Sequence, residues 1–194
     1  MGRIVLASQS PRRRELLEQM GITGFDIIPA KGEEQMQERT EPGKLVEHLA
    51  LAKARETALQ VEQSALVIAA DTVVVLEGKV LGKPADEDEA FAMLSALAGR
   101  THQVYTGVAL MQGGRTRSAY ECTDVTFRPL TEGEIRGYLA AGESMDKAGA
   151  YGIQGRGALL VEGIRGDYFN VVGLPVCRLG QMLKRFGVHP LGAE

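Results

Sequence analysis

A chain of 194 residues, 44% apolar and 24% charged, is long enough to bury a full core as one domain or one two-lobed domain. Its net charge of −3 argues against general affinity for nucleic acid or acidic membranes, which takes a strongly basic surface. Any positive charge that matters must therefore be local. Cys122 and Cys177 show neither CxxC nor Cys/His spacing and are expected to be small buried residues in a reducing compartment. Met1 leads into an apolar stretch without a charged n-region or h-region, so no secretion signal is expected and the expected location is the cytoplasm. The longest apolar run, Ala65 to Leu76, is interrupted by Asp71 and falls short of the ~20 residues of a membrane span.

Strand-like and helix-like segments alternate, which predicts an α/β fold. "RIVLAS" (3–8) reads as a buried first strand. Ser10 offers an N-cap and Pro11 an N1 residue for a helix whose apolar stripe is Leu16, Leu17 and Met20, stopped by Gly21. A polar loop, "KGEEQMQERTEPG", precedes a second helix at about 43–59. "ALVIAADTVVVLEGKVLGKP" (65–84) reads as a buried strand, a turn near Glu77 and Gly78, and a short return. "DEDEAFAMLSALAG" (86–99) opens with acids and carries Phe91, Leu94 and Leu97 at helical spacing. "THQVYTGVALM" and "RTRSAYECTDVTF" read as paired strands around Gly113 and Gly114. Thr131 and Glu134 form a capping-box pattern for a helix over 132–141. Beyond "DKAGAYGIQG", strands are expected in "GALLVEGIRGDYFNVVG", then a final helix from Pro175 to Phe186 and eight frayed residues. No internal repeat or linker interrupts the chain.

The first helix is anomalous. Helix starts favour Asp or Glu, yet this one stacks Arg12, Arg13 and Arg14. At about 100° per residue, Arg13 shares the face of Leu16, Leu17 and Met20, with Arg12 at its edge and Arg14 pointing away. A bound anion would remove the repulsion, and backbone N–H groups, the hydroxyls of Ser8 and Ser10 and two guanidinium forks suit phosphate oxygens. The alternative is a solvated basic turn paired with acids, the better reading for Arg14.

Lys53 repeats the anomaly on a face drawn through Leu45, Leu49, Ala52 and Glu56, where it either snorkels or projects into a cleft. Asp71 is sharper: a carboxylate inside "LVIAADTVVV" must be paired, metal-bound or functional. Desolvation raises the pKa of such an acid and suits it to accept a proton. Glu33 and Glu34, in a polar loop, could join Asp71 as oxygen ligands for Mg²⁺ or Mn²⁺, although a solvated loop has the same composition. Lys83, in "GKP", also fits a solvated turn. "DKAGAYGIQG" (146–155) has glycines for close approach to a ligand, and Gln154 has a donor and an acceptor with which to read a uracil-like edge. Together these features point to hydrolysis of a phosphate ester or phosphoanhydride. No Walker, nucleophile-elbow or dinucleotide motif competes.

The ordered set "LASQSPRRRELL", "ADTVVVLEGKVLGKP", "HQVYTGVAL", "TDVTFRPLT", "DKAGAYGIQG" and "NVVGLP" resembles the Maf family of nucleoside triphosphate pyrophosphatases from about Val5 to Phe186. The resemblance implies a single domain over 1–194 with an elongated, two-lobed mixed-sheet α/β fold similar to inosine triphosphate pyrophosphatases, its active site in the cleft between lobes. It implies cleavage between the α- and β-phosphates with a divalent cation, Mg²⁺ or Mn²⁺ and also Co²⁺. The family's proton acceptor falls on Asp71, its phosphate-binding residues on Ser8, Ser10, Arg12 and Arg13, its pocket lysines on Lys53 and Lys83, and its loop glutamate on Glu34. Specificity positions fall on Arg12, Thr72 and Gln154, and the segment holding Lys147 and Gln154 resembles the branch acting on dTTP and UTP. A branch acting on 7-methyl-GTP is the alternative, and a nucleotide-sensing division regulator another, since the family also carries an association with septum-formation arrest. A homodimer is implied by the resemblance alone.

Overall fold

The computed structural model describes residues 2–31 and 40–192. Its strands are β1 (Ile4–Leu6), β2 (Asp26–Ile27), β3 (Leu66–Leu76), β4 (Lys79–Leu81), β5 (Thr101–Gln112), β6 (Arg115–Phe127) and β7 (Val161–Arg165). The helices are α1 (Pro11–Gln19), α2 (Pro42–Ala58), α3 (Glu87–Leu97), α4 (Glu132–Leu139), α5 (Tyr168–Val172) and α6 (Val176–Lys184), with 3₁₀ turns at Ala148–Ala150 and Gly155–Leu159. Among the described residues the strands form one seven-stranded mixed sheet in the order β2-β1-β3-β5-β6-β7, with β4 also on β3. β1 is parallel to β2 and β3, whereas β4 on β3 and β7 on β6 are antiparallel. The expected α/β class is therefore present, and β2 is an addition: two residues in a stretch to which no element was assigned.

The chain divides into two compact units. The first comprises Met1–Asp71, Thr106–Glu121 and Gly173–Glu194. One cluster of its core is built from small residues: Ala50 and Ala54 of α2 pack with Val5, Ala7, Ala65, Val67, Ala69 and Ala109. Small side chains on both surfaces let the helix backbone approach the sheet closely. Gly107 marks the limit of that approach, because a Cβ there would stand 2.2 Å from the Val46 carbonyl oxygen. The buried stripe of α2 runs through Val46, Ala50, Ala54 and Thr57, and Ala52 is exposed. Leu45 and Leu49 of the expected face are also buried, so Ala52 is the correction, and Lys53 falls within the buried arc, between Leu49 and Val46 around the helix. Of the residues expected to fray, Val188 is buried and its N–H donates to the Leu183 carbonyl at 3.1 Å.

The second unit comprises Thr72–Tyr105 and Cys122–Val172. α3 is capped by Asp86, whose carboxylate accepts from the Glu89 N–H at 2.8 Å, and α4 carries the capping box foreseen at Thr131 and Glu134. Arg128 donates to Glu134, and this bond, with those from Thr131, pulls the Glu134 pKa down to about 2. The stretch "DYFNVV", expected as strand from its aromatic and β-branched residues, is helical α5. Asp167 Oδ1 accepts from the Phe169 N–H at 2.8 Å, starting the turn. The buried Asn170 then donates to the Val104 carbonyl and to Thr123 Oγ1, both at 2.9 Å, a tertiary anchor that overrides propensity. Both cysteines are exposed, correcting the expectation of burial. Cys122 lies on β6, where alternate side chains face solvent, and Cys177 lies near the start of amphipathic α6. Among the described residues no helix is long and apolar enough to cross a membrane.

One buried group links this unit to pH. His102 on β5 is fully buried, and burial pushes its pKa down to about 4. An unfolded histidine titrates near 6.5, so between those values the unfolded chain holds more protons than the folded one. This contribution is complete above pH ~6.5 and is lost as pH falls toward 4, by on the order of 3 kcal/mol. Urea denaturation at pH 7 and pH ~4.5 should show this component in the wild type and not in His102→Phe. An identical loss in both proteins would contradict it.

Candidate functional site

The period-2 geometry of a strand puts Ala65, Val67, Ala69 and Asp71 on one side of β3. The first three pack with α2, so Asp71 is delivered to the helix side of the sheet by register alone. There it is buried, 4% exposed, and Lys53 Nζ of α2 donates to Asp71 Oδ1. Of the fates open to a carboxylate in this strand, pairing is thus realised. The lysine resolves in the same way: its ammonium is directed inward to the acid rather than snorkelling out. An ion pair of this kind holds the acid in one orientation, while a carboxylate keeps acceptor capacity for a further ligand.

β1 lies parallel to β3 with Leu6 abreast of Ile68, and the Ala7 N–H donates to the Ile68 carbonyl at 2.8 Å. Continuing that register sets Ser8 beside Ala70, next to Asp71. This is the C-terminal end of β1, where α/β sheets present their loops to ligands, set against the middle of the longer β3, which runs on to Leu76. The buried Ser8 hydroxyl accepts from the Ser10 N–H at 3.2 Å and from Arg13 Nη1 at 3.1 Å. Arg13 Nε donates to the Gly173 carbonyl at 2.8 Å. Two neutral acceptors therefore aim the Arg13 guanidinium. Ser10 occupies the N-cap position with extended backbone and Pro11 follows it, but the Ser10 hydroxyl makes no cap, and the first turn of α1 contains no acid. Arg12 is half-buried; Arg14 is exposed and pairs with Glu18 at 3.0 Å, the solvated role expected of it.

The first unit thus gathers Ser8, Ser10 and Arg13 at one turn and pairs Lys53 with Asp71 beside it. Thr72, Lys83, Lys147 and Gln154 belong to the second unit. Thr72 is half-buried, while Lys83 and Gln154 are exposed. The Gly149 N–H donates to the Gly82 carbonyl at 2.9 Å, tying the Lys83 turn to the 146–155 segment. Lys147 is held by the Glu143 carbonyl and by Asp146, each at 2.6 Å. Glu33 and Glu34 lie outside the described residues. Sequence reasoning missed Gly173: a backbone carbonyl carries no side-chain signature, although "NVVGLP" stood among the motifs.

Among the described residues no group of three His, Cys, Asp or Glu is gathered to cage a cation. Mg²⁺ bound with a phosphorylated ligand needs only one or two protein carboxylates, because phosphates and water fill the other positions. A single inward-held Asp71 fits that donor set.

The family model for Maf-like protein matches residues 3–186. The chain belongs to the Maf-like protein family. One relative of this Maf-like chain, named dTTP/UTP pyrophosphatase in Moorella thermoacetica, is 54% identical over 194 residues, covering 99% of both chains. A second, with the same name in Symbiobacterium thermophilum, is 52% identical over 96% of this chain and 95% of its own. Among solved structures, a HAM1 protein from Coxiella burnetii aligns at a TM-score of 0.54 and 18% identity, covering 95% of this chain and 100% of that one. That likeness concerns the fold alone.

Proposed function

We propose that this Maf-like protein hydrolyses dTTP and UTP to the nucleoside monophosphate and pyrophosphate. The observation that carries the reading is the buried Asp71–Lys53 pair beside the Ser8–Arg13 turn, an oriented acid next to an oriented anion binder. The shared name of relatives more than half identical over nearly the whole chain supports the choice of substrates.

In this mechanism Arg12, Arg13 and the Ser8 and Ser10 hydroxyls hold phosphate oxygens, with Lys53 and Lys83 adding positive charge as negative charge builds on the departing pyrophosphate. Asp71 accepts the proton of the attacking water and Lys53 keeps that carboxylate aimed. Thr72, Lys147 and Gln154 contact the nucleoside. A divalent cation, Mg²⁺ or Mn²⁺ with Co²⁺ as a third candidate, would be held by Asp71 and Glu34, and when bound it supplies charge neutralisation on the phosphates. A cytoplasmic homodimer without nucleic-acid or membrane partners completes the proposal.

The test is a panel of dTTP, UTP, CTP and 7-methyl-GTP with products resolved. Monophosphate and pyrophosphate should appear in equal amounts, with dTTP and UTP giving the highest kcat/KM. Release of orthophosphate, or a preference for 7-methyl-GTP, would refute it.

A further inference from the structure

The 146–155 segment is braced from several sides within its unit. Besides the bond from Gly149 to Gly82, the Gly152 N–H donates to Tyr138 Oη at 3.2 Å, and the adjoining Arg156 N–H to Glu143 Oε2 at 3.1 Å. Such bracing has strain to hold. Ala150 sits at φ 60°, a conformation that a residue with a Cβ keeps only where its surroundings impose it. The next residue, Tyr151, provides the deepest anchor. Its ring meets Phe127 edge-on at 4.6 Å and His102 at 5.4 Å between centroids, and its hydroxyl lies 2.7 Å from His102 Nε2.

His102 is an expensive way to fill that position. It is fully buried, and among the described residues its Nδ1 has no hydrogen-bond partner. A buried polar atom left unsatisfied costs stability, so an apolar ring would pack there more favourably. What imidazole adds over an apolar ring is one directed bond, to Tyr151 Oη. That bond lands between the strained Ala150 and the residues leading to Gln154.

We propose that His102 is a positioning residue for nucleotide recognition: its bond to Tyr151 fixes the strained backbone at Ala150 and thereby the pose in which Gln154 meets the base. The inference deepens the dTTP/UTP reading and rests on it. Gln154 is exposed and cannot be held by packing of its own side chain, so its aim depends on the backbone beneath it. A rigid segment lets one amide favour a uracil-type edge over the amino-bearing edge of cytosine; a loosened one lets it adapt to both.

The decisive variant is Tyr151→Phe, which removes one oxygen and keeps the ring. The UTP-over-CTP ratio of kcat/KM should fall about tenfold, the scale of one lost directed hydrogen bond. The loss should lie in KM for UTP, with kcat within about threefold of the wild type. His102→Phe should reproduce it, and the double variant should be no worse than either single one. His102→Gln, whose amide still has a group to offer the Tyr151 hydroxyl, should recover most of the preference. Amide hydrogen exchange over 150–155 should quicken in Tyr151→Phe, a readout independent of turnover. A preference within about twofold of the wild type in both Tyr151→Phe and His102→Phe would overturn the inference and leave the enzyme reading intact. A wild-type protein that hydrolyses neither UTP nor CTP would overturn the reading, and the inference with it.

Discussion

Asp71→Asn should lower kcat on UTP by about a thousandfold or more while leaving nucleotide binding measurable. Asparagine matches aspartate in shape, so strand β3, buried on both sides of this position, keeps its packing. What changes is the chemistry. The amide accepts no proton at neutral pH, and the ion pair of Asp71 with Lys53 is gone. Lys53 is not trapped by this, because its side chain remains 19% exposed and the ammonium can turn toward water. The folded state should therefore survive, with a melting temperature within several degrees of the wild type. Removing a negative charge near a polyanionic ligand should leave affinity unchanged or improve it. Calorimetric titration with UTP and a single-turnover assay separate the two quantities. A variant that turns over within about tenfold of the wild type would remove Asp71 from its catalytic role.

The parts of this site that were legible in the sequence are those where one residue type contradicts its neighbours. An aspartate inside an apolar strand and arginines at a helix start both violate local rules, and the structure pairs the first with Lys53 and aims one of the second with neutral acceptors. Capping signals were also readable, because Thr131 and Glu134 act within a single turn. What escaped was whatever depends on distant backbone. The Gly173 carbonyl that orients Arg13 lies 160 positions away; its φ of 127° calls for glycine, but nothing in a glycine names the guanidinium its carbonyl will accept from. The face of α2 was drawn rightly through Leu45 and Leu49 and wrongly through Ala52, because Ala is equally at home on either surface of a helix and Ala52 and Ala54 could not be told apart by composition. α5 was misread because the anchor at Asn170 reaches strands far along the chain, while its local residues favour extension. His102 drew no notice, since a lone histidine in a strand has no local pattern that marks it as buried.

Gly107→Ala should be among the most damaging single-methyl additions in this protein, and for a reason that connects packing to catalysis. The added Cβ would lie 2.2 Å from the Val46 carbonyl oxygen, 2.3 Å from its carbon and 2.6 Å from the Glu47 nitrogen. These are backbone atoms of α2, and no rotamer change can move them aside. Restoring ordinary separations of about 3.5 Å requires the helix to retreat from the sheet. That retreat would open the small-residue interface at Ala50 and Ala54. A destabilisation of about 3 kcal/mol is expected, lowering the melting temperature of a chain this size by roughly 6–12 °C. Lys53 rides on the same helix, so the retreat also draws its ammonium from Asp71. The kcat of the protein that remains folded should fall by about tenfold or more, because catalytic groups tolerate little displacement. Gly137→Ala provides the contrast. That glycine is exposed within α4 with nothing within 4 Å of an added Cβ, so the same methyl should stabilise by about 0.5–1 kcal/mol and leave kcat unchanged. Thermal melts and UTP turnover on both variants decide the matter: a Gly107→Ala protein melting within about 2 °C of the wild type would show that the α2 backbone does not set the position of Lys53.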